Sequence, residues 1–139
     1  MKHIFVDTNI LIDLLADRKP FSKFAIELFK KAERKELNLY ASSHSIATTY
    51  YLLKKYLEEK ELRVVLYNLL ELLTVVAIDQ QIIKMGLKSK HKDFEDALQI
   101  FCAYSVDKID CILTRNVKDF KYSEIPVLAP DELIAKLVH

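Results

Sequence analysis

One glycine, Gly86, and three prolines, Pro20, Pro126 and Pro130, are all that 139 residues hold of these two turn-forming types. Tight β-hairpins usually need Gly or Asn at positive φ, so an all-β fold is disfavoured from the outset. Helical spacing is common instead. Phe21, Phe24, Ile26, Leu28 and Phe29 precede a charged run at 30–36, and Ile46, Tyr50, Leu53 and Leu57 recur at intervals of four, three and four. Leu62, Val65, Leu66, Leu69, Leu70 and Leu73 form a third amphipathic set, and Phe94, Ala97, Leu98, Phe101 and Cys102 a fourth within a helix expected over 94–104. A short terminal helix is expected at 131–138, after Pro130.

Between these segments lie short apolar runs at 4–6, 39–41, 75–78, 111–113 and 127–128. They are too short for helices, and apolar runs without alternation suit strands covered on both faces, as in a parallel sheet. Strand and helix therefore alternate, which predicts an α/β fold. No linker, repeat or composition shift divides the chain, so one domain over 1–139 is expected.

Hydrophobic residues make up 51% of the chain, including seven Phe and seven Tyr. A chain of this size buries about two-thirds of its unfolded surface, enough for a core without disulfides or structural metal. With 21 basic against 20 acidic residues, the net charge of +1 excludes a strongly basic nucleic-acid binder but leaves room for a local basic groove. Cys102 and Cys111 lack CxxC spacing and sit among apolar neighbours, the pattern of buried reduced thiols. The apolar patch near the N-terminus is too short for a signal peptide, and no run approaches the length of a membrane span. A soluble cytoplasmic protein is expected.

In an open parallel sheet, ligands bind beyond the carboxyl ends of the strands. The first strand runs into Asp7, Thr8 and Asn9, and the strand at 111–113 into Thr114, Arg115 and Asn116, with Asp119 close behind. If both strands are parallel, these residues share one edge. A third acidic group, Asp93, Glu95 and Asp96, crowds the start of the helix at 94–104. Capping and the helix dipole account equally well for Asp93 and Glu95. Asp96 lies at the border of the buried face, where a carboxylate needs a partner. N-capping of its own helix is the plain alternative for Asp7. Converging carboxylates without histidine or cysteine suit a hard cation, Mg²⁺ or Mn²⁺, of the kind that activates water for phosphodiester hydrolysis.

The stretches VDTNILID at 6–13, FEDAL at 94–98 and LTRNVKDF at 113–120, in this order and spacing, resemble the PIN-domain family of metal-dependent ribonucleases, which includes the toxins of VapC-type toxin-antitoxin pairs. The resemblance implies an α/β/α three-layer sandwich around a short parallel sheet. It also implies Mg²⁺ or Mn²⁺ held by Asp7, Asp96 and Asp119, with Thr8, Thr114 and Asn116 holding or orienting carboxylates. Single-stranded RNA as substrate, a cognate antitoxin and a homodimer are implied as well. One position departs from the pattern. The family commonly carries a glutamate early in the helix after the second strand, whereas here residues 42–47 are followed by Thr48. Loss of one carboxylate weakens an oxygen-ligand cation site, and Glu95 or Asp93 is the alternative donor.

The remaining charged and aromatic residues carry plainer expectations. Lys84, Lys88, Lys90, His91 and Lys92, with Arg115, Lys118 and Lys121, either contact phosphates beside the acidic pocket or form a solvated face. His44 stands at the site's edge or is structural, His91 has no role, and Tyr50, Tyr51 and Tyr56 are expected in packing or a dimer seam. Asp13 and Asp17 fall outside the site. Two rivals to the enzyme are a degenerate domain that binds RNA or protein without catalysis, suggested by Thr48, and a phosphate-transfer or dehalogenase-like domain. The last shares an aspartate after the first strand but has Asn9 where a second aspartate would follow.

Overall fold

A computed structural model describes residues 2–137. Strand β1 (Lys2–Val6) leads into α1 (Thr8–Leu15) and α2 (Ser22–Glu33), then β2 (Leu37–Ser42), α3 (Ser43–Leu53) and α4 (Glu59–Leu69). Strand β3 (Leu73–Val76) is followed by α5 (Gln80–Lys88), α6 (Phe94–Tyr104), β4 (Cys111–Leu113), a 3-10 turn (Val117–Phe120), β5 (Val127–Leu128) and α7 (Pro130–Leu137). The five strands form one parallel sheet in the order β3-β2-β1-β4-β5.

Strand alternation sorts the core into two layers. Ile4 and Val6 of β1 and Cys111 and Leu113 of β4 pack with Ile10, Leu11, Leu28, Leu62 and Leu66 from α1, α2 and α4. Phe5 and Ile112, pointing the other way, pack with Ile100, Cys102 and Ala103 of α6 and with Phe120. The result is the expected α/β/α sandwich. Burial on both faces holds for β4 and the end of β1. It fails for β3, an edge strand whose Thr74 and Val75 are exposed.

The element boundaries differ from expectation where apolar periodicity runs past a structural stop. Helix α3 ends at Leu53, so Tyr56 and Leu57 lie in the following turn, with the Leu57 N–H on the Leu53 carbonyl at 2.9 Å. Helix α4 ends at Leu69, and Leu73 opens β3 rather than closing the helix. Ile78, expected in that strand, falls beyond it. Helix α5 was hidden in a stretch read only for its lysines. Helix α7 starts at Pro130, where the missing N–H is no loss; Val138, expected in it, lies outside the described residues.

With so little glycine, the turns are made by other means. Helices α1 and α2 both end in a left-handed residue, Asp17 at φ 49° and Lys35 at φ 61°. At α2 the Lys35 N–H bonds to the Ala32 carbonyl and the Glu36 N–H to the Lys31 carbonyl, both at 2.9 Å. At α1 the Arg18 N–H reaches the Asp13 carbonyl at 3.1 Å and the Asp17 N–H approaches that of Leu14 at 3.4 Å. Both are Schellman closures. Gly86 serves close packing instead: a Cβ there would lie 3.2 Å from Leu98 Cδ2 and 3.3 Å from Phe94 Cε1, where α5 meets α6. Among the described residues no helix is long and apolar enough to cross a membrane.

Candidate active site

Strands β1 and β4 are neighbours, yet the chain proceeds from β1 outward through β2 and β3 on one side and from β4 to β5 on the other. Their carboxyl ends therefore flank a topological switch point, where an open parallel sheet leaves a crevice. Asp7 leaves β1 there, its N–H on the Leu113 carbonyl at 2.9 Å, and Thr114 leaves β4 beside it.

Asp7 caps α1, as the plain alternative held, but capping is part of its bonding only. Its Oδ1 accepts from the Thr8 N–H at 2.8 Å and from Gln99 Nε2 at 3.0 Å, and its Oδ2 accepts from the Thr114 hydroxyl at 2.8 Å. Thr114 is fully buried and in turn accepts from the Asn116 N–H at 3.1 Å and from Asn9 Nδ2 at 3.3 Å. A carboxylate offers about four lone-pair sites. Three donors fill three of them and leave one on Oδ2. The Thr8 hydroxyl turns away to Ser45 Oγ at 2.7 Å, so Thr8 holds the carboxylate through its backbone.

Asp96 sits in the first turn of α6, and with Asp7 it lines a cleft of about 230 Å³ shared with Thr8, Asn9, His44, Thr48, Glu95, Gln99 and Asn116. Burial pushes the Asp96 carboxyl up from 3.8 to about 7, and the negative charges of Asp93, Asp7, Asp119 and Glu95 push in the same direction. Asp93 is the N-cap of α6, accepting the Asp96 N–H at 2.9 Å. Glu95 is on the exposed rim, 3.8 Å from His44 Nε2, which also lies 3.3 Å from the Thr48 hydroxyl. Asp119 belongs to the 3-10 turn and is not among the residues lining the cleft; it reaches Asp96 through its field.

Gln99 and Ser45 were missed by sequence reasoning, which placed Asn9 at the strand edge without a role. Gln99 stands one turn after Asp96 on the same helix face, a polar side chain in a buried run, and that was the available signal. The basic residues divide. Arg115 is occupied: its guanidinium makes a two-pronged pair with Asp13 at 2.6 and 3.1 Å and lies over the Phe21 ring at 4.0 Å. Asp13 is outside the cleft, as expected, but it is 1% exposed and so depends on that pair. Lys90 and Lys121 both lie over the Tyr122 ring, and His91 packs on Tyr122 and Phe101. Tyr50 packs against the core, while Tyr51 and Tyr56 are exposed. Cys102 and Cys111 are buried and free, and burial pushes their thiols up to about 12 and about 11, which keeps them protonated.

Apart from the His44 imidazole, the donors in the cleft are carboxylate, amide and hydroxyl oxygens, the set that hard divalent cations take. Among the described residues, however, no group of three or more His, Cys, Asp or Glu side chains is arranged to hold a metal ion. Two carboxylates in one cleft still fit Mg²⁺, which commonly binds one or two carboxylates and fills its remaining positions with water and substrate phosphate.

A parallel α/β/α sandwich with an acidic, oxygen-rich cleft at its switch point defines the class of fold and site. The chain belongs to the PIN domain family, whose pattern it matches over residues 3–118. It is 29% identical over 134 residues to ribonuclease VapC1 of Aquifex aeolicus (strain VF5), across 93% of this chain and 91% of that one. Among solved structures it is similar to a toxin-antitoxin complex from Klebsiella pneumoniae, with 26% identity and a TM-score of 0.65 over 91% of this chain and 97% of that one. In fold alone it is similar to VapBC2 from Rickettsia felis bound to a promoter DNA fragment, with 16% identity and a TM-score of 0.67 over 91% of this chain and 98% of that one. Family membership retires the phosphate-transfer and dehalogenase-like rival.

Proposed function

We propose that this protein is a divalent-cation-dependent endoribonuclease that cleaves single-stranded RNA, and that it is the toxin of a toxin-antitoxin pair. The observation that carries the reading is the Asp7 carboxylate, fixed by Thr8, Gln99 and Thr114 with one lone pair left over, in the same cleft as Asp96. Asp7 and Asp96 would hold Mg²⁺ or Mn²⁺, with Asp119 adding negative potential from the neighbouring turn. The cation would supply a Lewis acid that activates water and neutralises charge on the phosphate. Thr114 keeps Asp7 oriented, and Asn116, on the cleft wall, would contact the substrate. Likeness to a curated ribonuclease supports the nuclease chemistry, and likeness to toxin-antitoxin complexes supports the antitoxin partner. The reading extends to a homodimer in the cytoplasm, for which exposed Val64 and Tyr67 on α4 and Leu87 on α5 offer apolar surface.

Incubation with a pool of single-stranded RNA, in Mn²⁺ and in EDTA, tests this. Cleavage is expected in Mn²⁺ alone and is abolished by Asp7→Asn and by Asp96→Asn, with the variants folded by circular dichroism. Undiminished cleavage by both variants would overturn the assignment. The second reading, a domain that binds RNA or a protein partner without catalysis, draws on Thr48 in the cleft wall and on the absence, among the described residues, of a group of three or more His, Cys, Asp or Glu side chains arranged to hold a metal. It predicts RNA binding that survives EDTA and no cleavage under any condition.

A further inference from the structure

Gln99 is 3% exposed, and its Oε1 is buried with no hydrogen-bond partner. Its two N–H groups are both used, on Asp7 Oδ1 at 3.0 Å and on Ser45 Oγ at 2.8 Å. The opposite orientation of the amide is ruled out by chemistry. Turning it over would set Oε1 against an Asp7 oxygen, two acceptors face to face. The Ser45 and Thr8 hydroxyls, 2.7 Å apart, serve either orientation, since either can donate to the other; the Asp7 carboxylate, which only accepts, decides between the two. The Asp7 carboxylate thus fixes the amide with its carbonyl unpaired.

A buried acceptor without a donor is destabilising, and native proteins answer it with a water or an ion. Gln99 lines the same cleft as Asp7 and Asp96, so an Asp7 lone pair, the Asp96 carboxylate and this carbonyl belong to side chains that border one space. We propose that Gln99 Oε1 is the third protein oxygen of the cation site, taking the part of the carboxylate that Thr48 lacks. The proposal rests on the cation-dependent reading above. A neutral carbonyl attracts a cation less than a carboxylate does, so the site binds metal weakly, in keeping with affinity that follows ligand charge.

Calorimetric titration of Mn²⁺ into the wild type, Gln99→Met, Gln99→Glu and Asp96→Asn tests it, with circular dichroism and thermal melting in EDTA as the check on folding. Gln99→Met is expected to weaken Mn²⁺ binding by about tenfold or more, and Gln99→Glu to bind more tightly than the wild type. A role limited to steadying Asp7 through Nε2 predicts weakening in both, because both remove the donor. Wild-type affinity in Gln99→Met, or weaker binding in Gln99→Glu, would overturn this inference alone. Full binding by Asp96→Asn, or none by the wild type, would overturn the cation site itself and this inference with it.

Discussion

At the scale of single residues, the cleft is built from one over-determined carboxylate and one under-satisfied one. Thr114 gives Asp7 a buried, charge-assisted hydrogen bond, so Thr114→Val is expected to cost about 1.5–3 kcal/mol in urea unfolding. Asp96 carries the pH dependence. Its carboxyl is raised to about 7 by burial and by neighbouring negative charge, so the folded state holds the proton more tightly than the unfolded chain. The stability this contributes in the absence of metal is whole below about pH 4 and is lost as the pH rises towards 7. Urea unfolding in EDTA should show this decline, and Asp96→Asn should flatten it. Because a cation must displace the same proton, Mn²⁺ affinity is expected to rise with pH up to about 7 and then level off. Asp7 and Asp96 were legible in the sequence because a strand end and the border of a buried helix face are places where a carboxylate needs a reason. Gln99 was not, since a neutral amide in an apolar run carries no charge to mark it, and its meaning depends on Asp7 and Ser45, both distant in sequence. Asp119 shares the motif and its charge is felt at Asp96, although it is not among the residues lining the cleft.

At the scale of elements, two devices fix the frame around the cleft. The Asp13–Arg115 pair ties α1 to the loop after β4, and with Asp13 1% exposed its charge depends on that guanidinium. Arg115→Met should therefore destabilise the protein, by up to about 3–5 kcal/mol in chemical denaturation, since it leaves the buried Asp13 carboxylate only Arg18, 3.9 Å away, as a compensating charge. The second device is the pair of Schellman closures that end α1 and α2 with Asp17 and Lys35 at positive φ. Lys35→Gly removes the Cβ strain of the left-handed conformation and is expected to stabilise by about 1 kcal/mol in the same assay. Strands β4 and β5 were readable to the residue, because short apolar runs bounded by polar residues have few other homes. The ends of α3 and α4 were not, because Leu57 and Leu73 continue the apolar spacing after the hydrogen-bond ladder has stopped. Helix α5 escaped notice because its lysines drew attention away from Ile82 and Gly86, which face the core.

At the scale of the whole molecule, the site is a consequence of topology. A parallel sheet whose chain departs in opposite directions from β1 and β4 opens a crevice at their carboxyl ends, and the residues immediately following those strands become its floor. That much follows from strand order, and the α/β class was legible from apolar runs alternating with amphipathic helices in a chain almost without glycine. The three layers were implied by the family resemblance, but which face of β1 each helix covers was not legible, because periodicity does not say it. The central claim is that the crevice is a divalent-cation site on which RNA cleavage depends. Titrating Mn²⁺ into the wild type beside Asp96→Asn, at about pH 7 where the carboxyl can lose its proton, tests it most directly. Saturable binding that disappears in the variant is the predicted result; equal binding by both proteins, or by neither, would contradict it.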